Sequence, residues 1–460
     1  MTVTEVLQVV DTLVFKHTGN HLTDLQKSAV KGIWQSQTYS EIADEFGYES
    51  ENYVGNVSRY LYKILSKELG EDITKSNFCW SIERIANSFN PQLIGIGIKN
   101  HINWCSSNTD IQEPEIDGED KFKQKTYYIN LKQSPQIIHF YGRIKELSTL
   151  SQWVENPKTR LISVLGILGI GKSTLVRHLI DTQEILLDHF DAIIWKNIKL
   201  NSSLNSLLIE ILIELNVNEE DINTNNLLSL LIKIFNQKRC LIILDNIEEI
   251  FASQQYSGQY KPEHQDYKAF LQMITGIEHQ SCVILISQEK CQEMVSLDKE
   301  LYPSHCLELS GLGDAATEIL KSQELKNEEN WLELINLYES HPRYLQDIGL
   351  LIKEIFNCEV SEFLKENTVI VSEDFKSLLN SIFTNLSDVE KTILFKMVAQ
   401  EQPMSRDDIK QSLSLSSMDI INGLQSLKRR FLLKTLTNDE KLFDLSAVFR
   451  EYLRTYHLHF

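Results

Sequence analysis

Positive charge is scarce in this chain of 460 residues. Its 45 Lys and Arg face 64 Asp and Glu, which gives a formal net charge of -19 at pH 7. Such an excess of negative charge repels nucleic acid and acidic membranes at long range, so any contact with DNA requires a local basic patch. The sequence as a whole therefore argues against a general polyanion-binding protein.

Long hydrophobic runs are lacking as well. No segment approaches the roughly 18 uninterrupted apolar residues of a membrane-spanning helix. The N-terminus carries Glu5 and Asp11 and does not have the basic start and apolar stretch of a secretory signal. The seven cysteines form no CxxC pair, and the twelve histidines form no HExxH motif. We expect a cytoplasmic protein without a disulfide framework, a histidine metal site or a membrane span.

The composition that is present is that of a globular protein. Hydrophobic residues make up 42% of the chain and charged residues 24%, which excludes a largely disordered protein. The length is sufficient for roughly three domains.

The N-terminal region, residues 1–95, is predicted to be helical. A short helix at Tyr39–Phe46 is followed by Gly47 and by a longer helix from about Glu51 to Leu69. A short helix, a glycine turn and a longer helix are typical of a helix-turn-helix motif. We expect Ala43 to lie where the two helices approach each other closely.

The longer helix raises the question of DNA binding. It offers side chains able to read base edges or touch phosphates: Asn52, Asn56, Ser58, Arg59, Lys63 and Lys67. Residues 1–90, however, hold eight Lys and Arg against twelve Asp and Glu, whereas DNA-binding modules are usually basic. We therefore favour protein docking for this domain and keep DNA contact as the alternative.

The rest of the chain predicts several further domains. A polar, acidic segment at 96–137 is interpreted as a linker. Residues 138–308 alternate apolar strands with helices, and the strands begin near Leu161, Asp191, Cys240 and Ser281. This alternation indicates a parallel sheet covered on both faces.

The C-terminal part is predicted to be helical again. Residues 309–366 form a helical domain, and residues 367–460 read as three helices followed by a hairpin that turns at Asn438 and Asp439. The predicted fold is therefore multidomain: a central α/β domain with a parallel sheet, an all-α helix-turn-helix domain before it, and helical and winged-helix domains after it.

The strongest motif is a phosphate-binding loop. The segment from Gly166 to Ser173, GILGIGKS, matches G-x-x-x-x-G-K-[ST] between a predicted strand and a predicted helix. Glycines allow the loop to turn its N–H groups around a polyphosphate, and the following helix points the positive end of its dipole at the same place. Lys172 adds a positive charge for the β- and γ-phosphates, Ser173 can ligate Mg²⁺, and Thr174 is placed to reach the α-phosphate.

A second element follows in the predicted strand LIILD. Asp245 ends this strand, and the carboxyl ends of parallel strands face the ligand crevice, so we expect Asp245 to hold the Mg²⁺ shell with Ser173. Asn246 cannot accept a proton. Glu248 is the candidate for the water-activating base, and a solvated acidic turn is the alternative. We therefore expect hydrolysis to be slow.

These motifs together resemble the NB-ARC proteins of the STAND class of signalling ATPases, over about residues 138–455. Four segments carry this resemblance: FYGR with Glu146 and Leu147, the phosphate loop, the strand with Asp245, and SHPR around Pro342. The resemblance implies that Gly142 and Arg143 lie against the nucleotide and that Pro342 touches the adenine side of ADP. Residues 1 to about 90 resemble the helix-turn-helix domain at the N-terminus of many cyanobacterial NB-ARC and vWA-MoxR-associated proteins.

The sequence departs from the family at three positions. Gln288 stands where the family places an arginine that senses the terminal phosphate, and a neutral amide cannot stabilise that charge as a guanidinium does. Ser446 stands where the winged helix usually offers a histidine to the β-phosphate. Ser340 replaces the first glycine of the proline motif. No sensor repeats follow the winged helix in this sequence, so we expect sensing through a partner or one of the domains present.

The resemblance implies an ADP/ATP-binding molecular switch with Mg²⁺ and at most a slow ATPase activity. We expect it to act on a protein partner, or through self-assembly, by way of the N-terminal domain. The alternatives are a nucleotide-controlled DNA-binding regulator and a nucleotide-locked scaffold without turnover. The predicted catalytic residues are Lys172, Asp245 and Glu248, and the predicted nucleotide-binding residues are Gly142, Arg143, Gly166, Gly169, Ile170, Gly171, Lys172, Ser173, Thr174, Gln288, Pro342 and Ser446.

Overall fold

A computed structural model gives the fold in two compact units, Met1–Lys121 and Phe122–Phe460. The structure describes residues 3–18, 21–35, 37–46, 51–69, 73–75, 77–79, 81–82, 84, 128–182, 189–199, 203–222, 226–294, 304–400, 402–437 and 441–458.

The described part of the first unit contains four helices of eight or more residues. They are α1 (Val3–Thr18), α2 (Asp24–Trp34), α3 (Tyr39–Phe46) and α4 (Glu51–Leu69). Thr23 caps α2, because its side chain accepts the N–H of Gln26 while the Gln26 side chain accepts the N–H of Thr23. The four helices bury an apolar core that contains Val10, Val30 and Leu61.

The predicted helix-turn-helix corresponds to α3 and α4. Ala43 is buried, and a close approach between helices of this unit falls at Gly32 of α2, where a Cβ would lie 2.3 Å from Cγ1 of Ile42 of α3. The predicted turn at Gly47 lies outside the described residues, as do the side chains of Asn52 and Asn56.

The predicted DNA-reading set needs one correction. Ser58 is completely buried, and its hydroxyl donates to the carbonyl of Val54 at 2.7 Å. It packs into the core of the unit, so it cannot reach a base edge. Arg59, Lys63 and Lys67 are exposed on α4.

The second unit contains a parallel six-stranded sheet in the order β1-β3-β4-β5-β2-β6. Its strands are β1 (Tyr128–Asn130), β2 (Leu161–Leu165), β3 (Ala192–Asn197), β4 (Cys240–Asp245), β5 (Cys282–Ser287) and β6 (Ser304–Glu308). The central strands β2, β4 and β5 are buried along their whole length, which matches their continuous apolar sequences. The predicted parallel sheet is therefore confirmed.

The pattern of apolar residues in the sequence does not predict either edge strand of the sheet. Strand β1 is only three residues long and lies inside the segment interpreted as a linker, where it pairs with β3. Strand β6 contains Ser304, His305 and Glu308, so its polarity hides it, yet it pairs in parallel with β2.

Helices cover both faces of this sheet. They are α5 (Ile144–Glu155), α6 (Lys172–Thr182), α7 (Leu204–Glu214), α8 (Leu227–Gln237) and α9 (Asp266–Gly276). Separate apolar clusters line the two faces: Val164, Trp195 and Ile284 point to one, and Leu165, Ile194 and Leu285 to the other.

The C-terminal part of the unit begins with a helical segment. Its helices are α10 (Thr317–Ser322), α11 (Trp331–Leu337), α12 (Pro342–Ile355) and α13 (Val360–Leu364). The winged helix follows with α14 (Glu373–Thr384), α15 (Asp388–Gln400), β7 (Met404–Ser405), α16 (Arg406–Ser412), α17 (Ser417–Arg429), β8 (Leu433–Thr437), β9 (Lys441–Leu445) and α18 (Ala447–Tyr456).

The hairpin strands β8 and β9 pair in antiparallel register, as predicted, and β7 adds to β9. Asn438 and Asp439 lie outside the described residues. A single apolar cluster runs from Ala316 to Leu453, so the helical segment and the winged helix share one core across the predicted boundary at 366/367. None of the helices in the described part of the chain is both long and apolar enough to cross a membrane.

Candidate functional site

The loop between β2 and α6 carries the phosphate-binding motif. Gly169 and Gly171 have φ angles of +79° and +99°, which side chains rarely tolerate. A Cβ on Gly171 would meet nothing within 4 Å, whereas a Cβ on Gly169 would lie 2.8 Å from Cβ of Arg343. Gly171 thus leaves space open for a ligand, and Gly169 lets α12 approach the loop.

Lys172 places its ammonium inside this loop. Its Nζ donates to the carbonyls of Gly166 at 2.9 Å and Ile167 at 3.1 Å, and the residue is 8% exposed. Burial lowers the pKa of Lys172, while Glu248 and Asp245 oppose that shift. The site therefore holds a poorly hydrated cation, which attracts a polyphosphate more strongly than an exposed lysine does.

Ser173 and Asp245 form the candidate metal site. The Ser173 hydroxyl donates to Oδ1 of Asp245 at 3.0 Å. Burial raises the pKa of Asp245 to about 6, although the bond from Ser173 opposes the shift. Hydroxyl and carboxylate oxygens are ligands that Mg²⁺ accepts, with water and substrate phosphates completing the octahedron. Among the described residues no cluster of three or more His, Cys, Asp or Glu could hold a metal.

Asn246 shapes the end of β4. Its φ of +62° puts it in the left-handed region, and its side-chain amide donates to Oδ1 of Asn197 at 3.0 Å. Its backbone N–H donates to Oδ1 of Asp245 at 2.9 Å. The backbone of this turn and the Ser173 hydroxyl therefore donate to the same oxygen of Asp245.

Glu248 and Gln288 meet in the structure, although 40 residues separate them in sequence. The Gln288 side-chain amide donates to Oε1 of Glu248 at 2.6 Å, and its backbone N–H donates to Oε2 at 3.2 Å. Both residues line the same cavity. The candidate base and the residue at the phosphate-sensing position therefore form one hydrogen-bonded unit, although nothing in the sequence links them.

A cavity of about 330 Å³ opens in front of the phosphate loop. Its walls come from the sheet domain and from α12 of the helical segment. It is lined by His139, Phe140, Tyr141, Arg143, Leu168, Gly169, Ile170, Gly171, Lys172, Ser173, Thr174, Asn246, Glu248, Ile286, Gln288, Leu312, Pro342, Arg343 and Gln346.

Three predicted nucleotide-binding residues fall outside this lining: Gly142, Gly166 and Ser446. A Cβ on Gly142 would lie 2.6 Å from Cβ of Ala315, so Gly142 serves close packing against the helical segment. Ser446 is buried immediately before α18, where the next residue, Ala447, donates its N–H to Glu339.

Arg143 lines the cavity, but its guanidinium is engaged elsewhere. Nη1 donates to Glu146 at 2.7 Å, and Nη2 donates to the carbonyls of Ile170 at 3.1 Å and Ser310 at 2.6 Å. Arg143 therefore ties the phosphate loop to the segment that leads into the helical domain.

His341 connects the helical segment to the phosphate loop, which the sequence did not predict. Its Nδ1 accepts the N–H of Tyr344 at 3.2 Å, so Nε2 carries the proton and donates to the carbonyl of Leu168 at 3.1 Å. Burial lowers the pKa of His341 to about 3, which keeps the ring neutral at physiological pH. The helical segment thus grips the phosphate loop directly, next to Pro342.

Two protein families match this chain. The NB-ARC domain family matches residues 144–271, which contain the phosphate loop and Asp245. The N-terminal helix-turn-helix family of vWA-MoxR-associated proteins matches residues 1–85.

The chain contains an NB-ARC domain behind a vWA-MoxR-associated helix-turn-helix domain. The family predicted from the sequence is thereby confirmed, and with it a nucleotide-binding P-loop domain.

The NB-ARC chain also resembles individual proteins. It is 31% identical over 317 residues to the WD repeat-containing protein alr2800 of Nostoc sp. (strain PCC 7120), and the match covers 66% of this chain and 25% of that protein. The chain thus spans about a quarter of the length of this relative.

Among solved structures, the STAND protein with a tetratricopeptide repeat sensor from Pyrococcus horikoshii aligns with 17% identity and a TM-score of 0.37, over 74% of this chain and 45% of that one. The Walker-type ATPase of Pyrococcus abyssi aligns with 14% identity and a TM-score of 0.45, over 71% of this chain and 99% of that one.

Proposed function

We propose that the protein is a STAND-type switch that binds ADP or ATP with Mg²⁺ in the cavity before the phosphate loop and hydrolyses ATP slowly. The observation that supports this most is that Lys172, Ser173 and Asp245 lie together at the phosphate loop, where Ser173 donates to Asp245 and the Asp245 charge acts on Lys172. Amide groups, one ammonium and two oxygen ligands are the groups that a metal–polyphosphate complex requires.

The individual roles follow from these positions. The loop amides and Lys172 would bind the phosphates, and Thr174 lies one residue further along α6 for the α-phosphate. Ser173 and Asp245 would hold Mg²⁺, which supplies positive charge between the terminal phosphates. Phe140 and Pro342 lie in the cavity wall, where an apolar lining suits the adenine ring.

Switching requires that ADP and ATP favour different conformations. The cavity is walled by two parts of the unit, and His341 and Arg343 of the helical segment lie against the phosphate loop. A nucleotide that shifts the loop therefore acts on the helical segment. We propose that this change reaches a protein partner, or a second copy of the chain, through the N-terminal domain.

Slow turnover follows from the Glu248–Gln288 pair. Each carboxylate oxygen of Glu248 accepts a hydrogen bond from Gln288, so both are engaged by this residue and not by an attacking water. Gln288 also supplies no formal charge to a terminal phosphate. Both features restrain hydrolysis without weakening binding.

The role of Glu248 is tested by Glu248→Gln. We expect phosphate release to fall roughly 100-fold or more, since general bases contribute at least that factor. Affinity for ADP should change little, because the amide keeps the size of the side chain. Glu249→Gln is the matched control, since Glu249 is the neighbouring carboxylate outside the cavity lining. Equal turnover in Glu248→Gln and the unmodified protein would exclude Glu248 as the base.

A further inference from the structure

A buried arginine joins the winged helix to the nucleotide domain. Arg430 follows α17 directly, and the residue is 9% exposed. Its Nε donates to Glu390 at 3.1 Å, its Nη1 lies 3.1 Å from Glu289, and its Nη2 donates to the carbonyl of Gln255 at 2.9 Å. We call Arg430, Glu289 and Glu390 the Arg430 latch.

The two carboxylates of the Arg430 latch are held differently. Glu390 is fully buried within the winged helix, where Ser387 donates to it through N–H and hydroxyl at 2.8 Å each and the Ser426 hydroxyl donates at 2.6 Å. These bonds fix Glu390, and through it Arg430, to the winged helix. Glu289 belongs to the nucleotide domain, so the Arg430–Glu289 pair is the part of the latch that crosses between domains.

Backbone contacts reinforce the same junction. Ser257 donates its N–H to the Ser426 hydroxyl at 2.6 Å, and Lys290 donates its N–H to the carbonyl of Arg429 at 3.1 Å. The N–H of Gly258 donates to Glu289 at 3.3 Å. A Cβ at Gly258 would come within 2.7 Å of Cα of Cys291, so within the nucleotide domain this loop packs tightly against the segment that carries Glu289.

Residues that contact Arg430 lie close in sequence to both members of the Glu248–Gln288 pair. Glu289 directly follows Gln288, whose amide binds Glu248. Gln255 and Ser257 come shortly after the 3-10 helix Ile247–Ile250 that carries Glu248. Each member of the Glu248–Gln288 pair is therefore close in sequence to a residue that contacts Arg430.

We infer that the Arg430 latch transmits the state of the nucleotide site to the winged helix. This inference rests on the proposed switch. When the Gln288 amide turns from Glu248 to a terminal phosphate, Glu289 moves with it and leaves Arg430, and the winged helix is released. In the other direction, a docked winged helix keeps Gln288 on Glu248 and restrains hydrolysis.

The free energy needed to separate Arg430 from Glu289 depends on whether Arg430 keeps another charged partner. Removing one member of a buried, hydrogen-bonded ion pair leaves an uncompensated charge, which is strongly unfavourable. Because Glu390 continues to neutralise Arg430, undocking the Arg430–Glu289 pair does not strand the arginine inside the winged helix. The latch can therefore open without unfolding either domain.

The variant that tests the latch is Glu289→Gln, which removes the cross-domain charge and leaves the Arg430–Glu390 pair intact. The measurement is backbone hydrogen exchange in the full chain, with ADP and with a non-hydrolysable ATP analogue, over residues 253–258 and 426–432. In the unmodified protein we expect slow exchange with ADP and exchange about 10-fold faster with the analogue. In Glu289→Gln we expect fast exchange in both states and phosphate release raised several-fold.

Glu293→Gln is the matched control. Glu293 lies in the same segment and accepts the hydroxyl of Tyr260 at 2.8 Å within the nucleotide domain, so this variant should exchange as the unmodified protein does. The proposed role of the Arg430 latch is refuted if residues 253–258 and 426–432 of Glu289→Gln still exchange slowly with ADP. Faster exchange without faster phosphate release, in a chain that hydrolyses ATP, overturns the coupling to hydrolysis.

Failure of the proposed switch has a different signature. If the folded protein binds no adenine nucleotide, the proposed function fails. Hydrogen exchange of the Glu289→Gln and Glu293→Gln variants without nucleotide still tests whether Arg430 and Glu289 hold the two domains together. Faster exchange in Glu289→Gln than in Glu293→Gln then supports Arg430–Glu289 as a docking contact, and equal rates refute it.

Discussion

Replacing Lys172 by alanine should lower the affinity for ADP with Mg²⁺ by about 100-fold or more. The ammonium is buried, and it is positioned inside the loop by the carbonyls of Gly166 and Ile167. Charge-assisted bonds in a poorly solvated site are worth about 3 kcal/mol together, which corresponds to roughly two orders of magnitude in affinity. Displacement of a fluorescent ADP analogue from the full chain measures the effect.

The control for this substitution is Lys158→Ala. Lys158 is exposed shortly before β2 and lies outside the cavity lining, so its loss changes the net charge equally without touching the site. We expect unchanged affinity in this variant. If Lys172→Ala and Lys158→Ala bind ADP equally well, the phosphate loop is not the binding site.

Replacing Asp245 by asparagine should strongly reduce the gain in ATP affinity that Mg²⁺ provides. The amide cannot neutralise a divalent cation, and the remaining protein ligand is the Ser173 hydroxyl. We expect the affinity gained on adding Mg²⁺ to fall by about 10-fold or more, measured by titrating ATP with Mg²⁺ and with EDTA. An unchanged response to Mg²⁺ would remove Asp245 from the metal shell.

The same variant has a second expected result, in the absence of nucleotide. Burial raises the pKa of Asp245 to about 6 in the folded chain. A raised carboxyl pKa means that ionisation costs folding stability above that pH, by about 3 kcal/mol at most for a shift of this size. Asp245→Asn removes this cost, so the variant should unfold at an equal or higher temperature at pH 7.5 than the unmodified protein. Asp221→Asn, an exposed position, should change neither property.

Local sequence patterns predicted the frame of this site. Continuous apolar runs indicated β2, β4 and β5, since strands that are buried on both faces require such sequences. The glycines and Lys172 indicated the phosphate loop because few other structures need those residue types at that spacing. Asp245 followed from its place at the carboxyl end of a parallel strand, which is set by the topology of the sheet.

Long-range polar contacts could not be predicted in the same way. Nothing near Glu248 in sequence signals that Gln288 binds it, since only the adjacency of β4 and β5 brings the two turns together. The hydrogen bonds from Arg143 to backbone carbonyls also have no signal in the sequence. The pair Arg430–Glu289 joins residues whose separate neighbourhoods look like ordinary solvated surface.

The edge strands of the sheet could not be predicted for a related reason. Strands β1 and β6 are short or polar, because an edge strand has fewer apolar neighbours to pack against. Ser58 is a candidate for base reading only in the DNA-binding alternative, and a small polar residue gives no indication of its burial. In the structure it satisfies its hydroxyl within its own helix, a bond that hides a polar residue in an apolar core.

The central claim is that the loop from Gly166 to Thr174 binds the phosphates of an adenine nucleotide. Calorimetric titration of the folded, full-length chain with ADP and Mg²⁺ tests it most directly. We predict saturable heat of association at one nucleotide per chain, and its loss in Lys172→Ala. Absence of heat with the unmodified, nucleotide-free chain, shown to be folded by its cooperative thermal unfolding, would contradict the account.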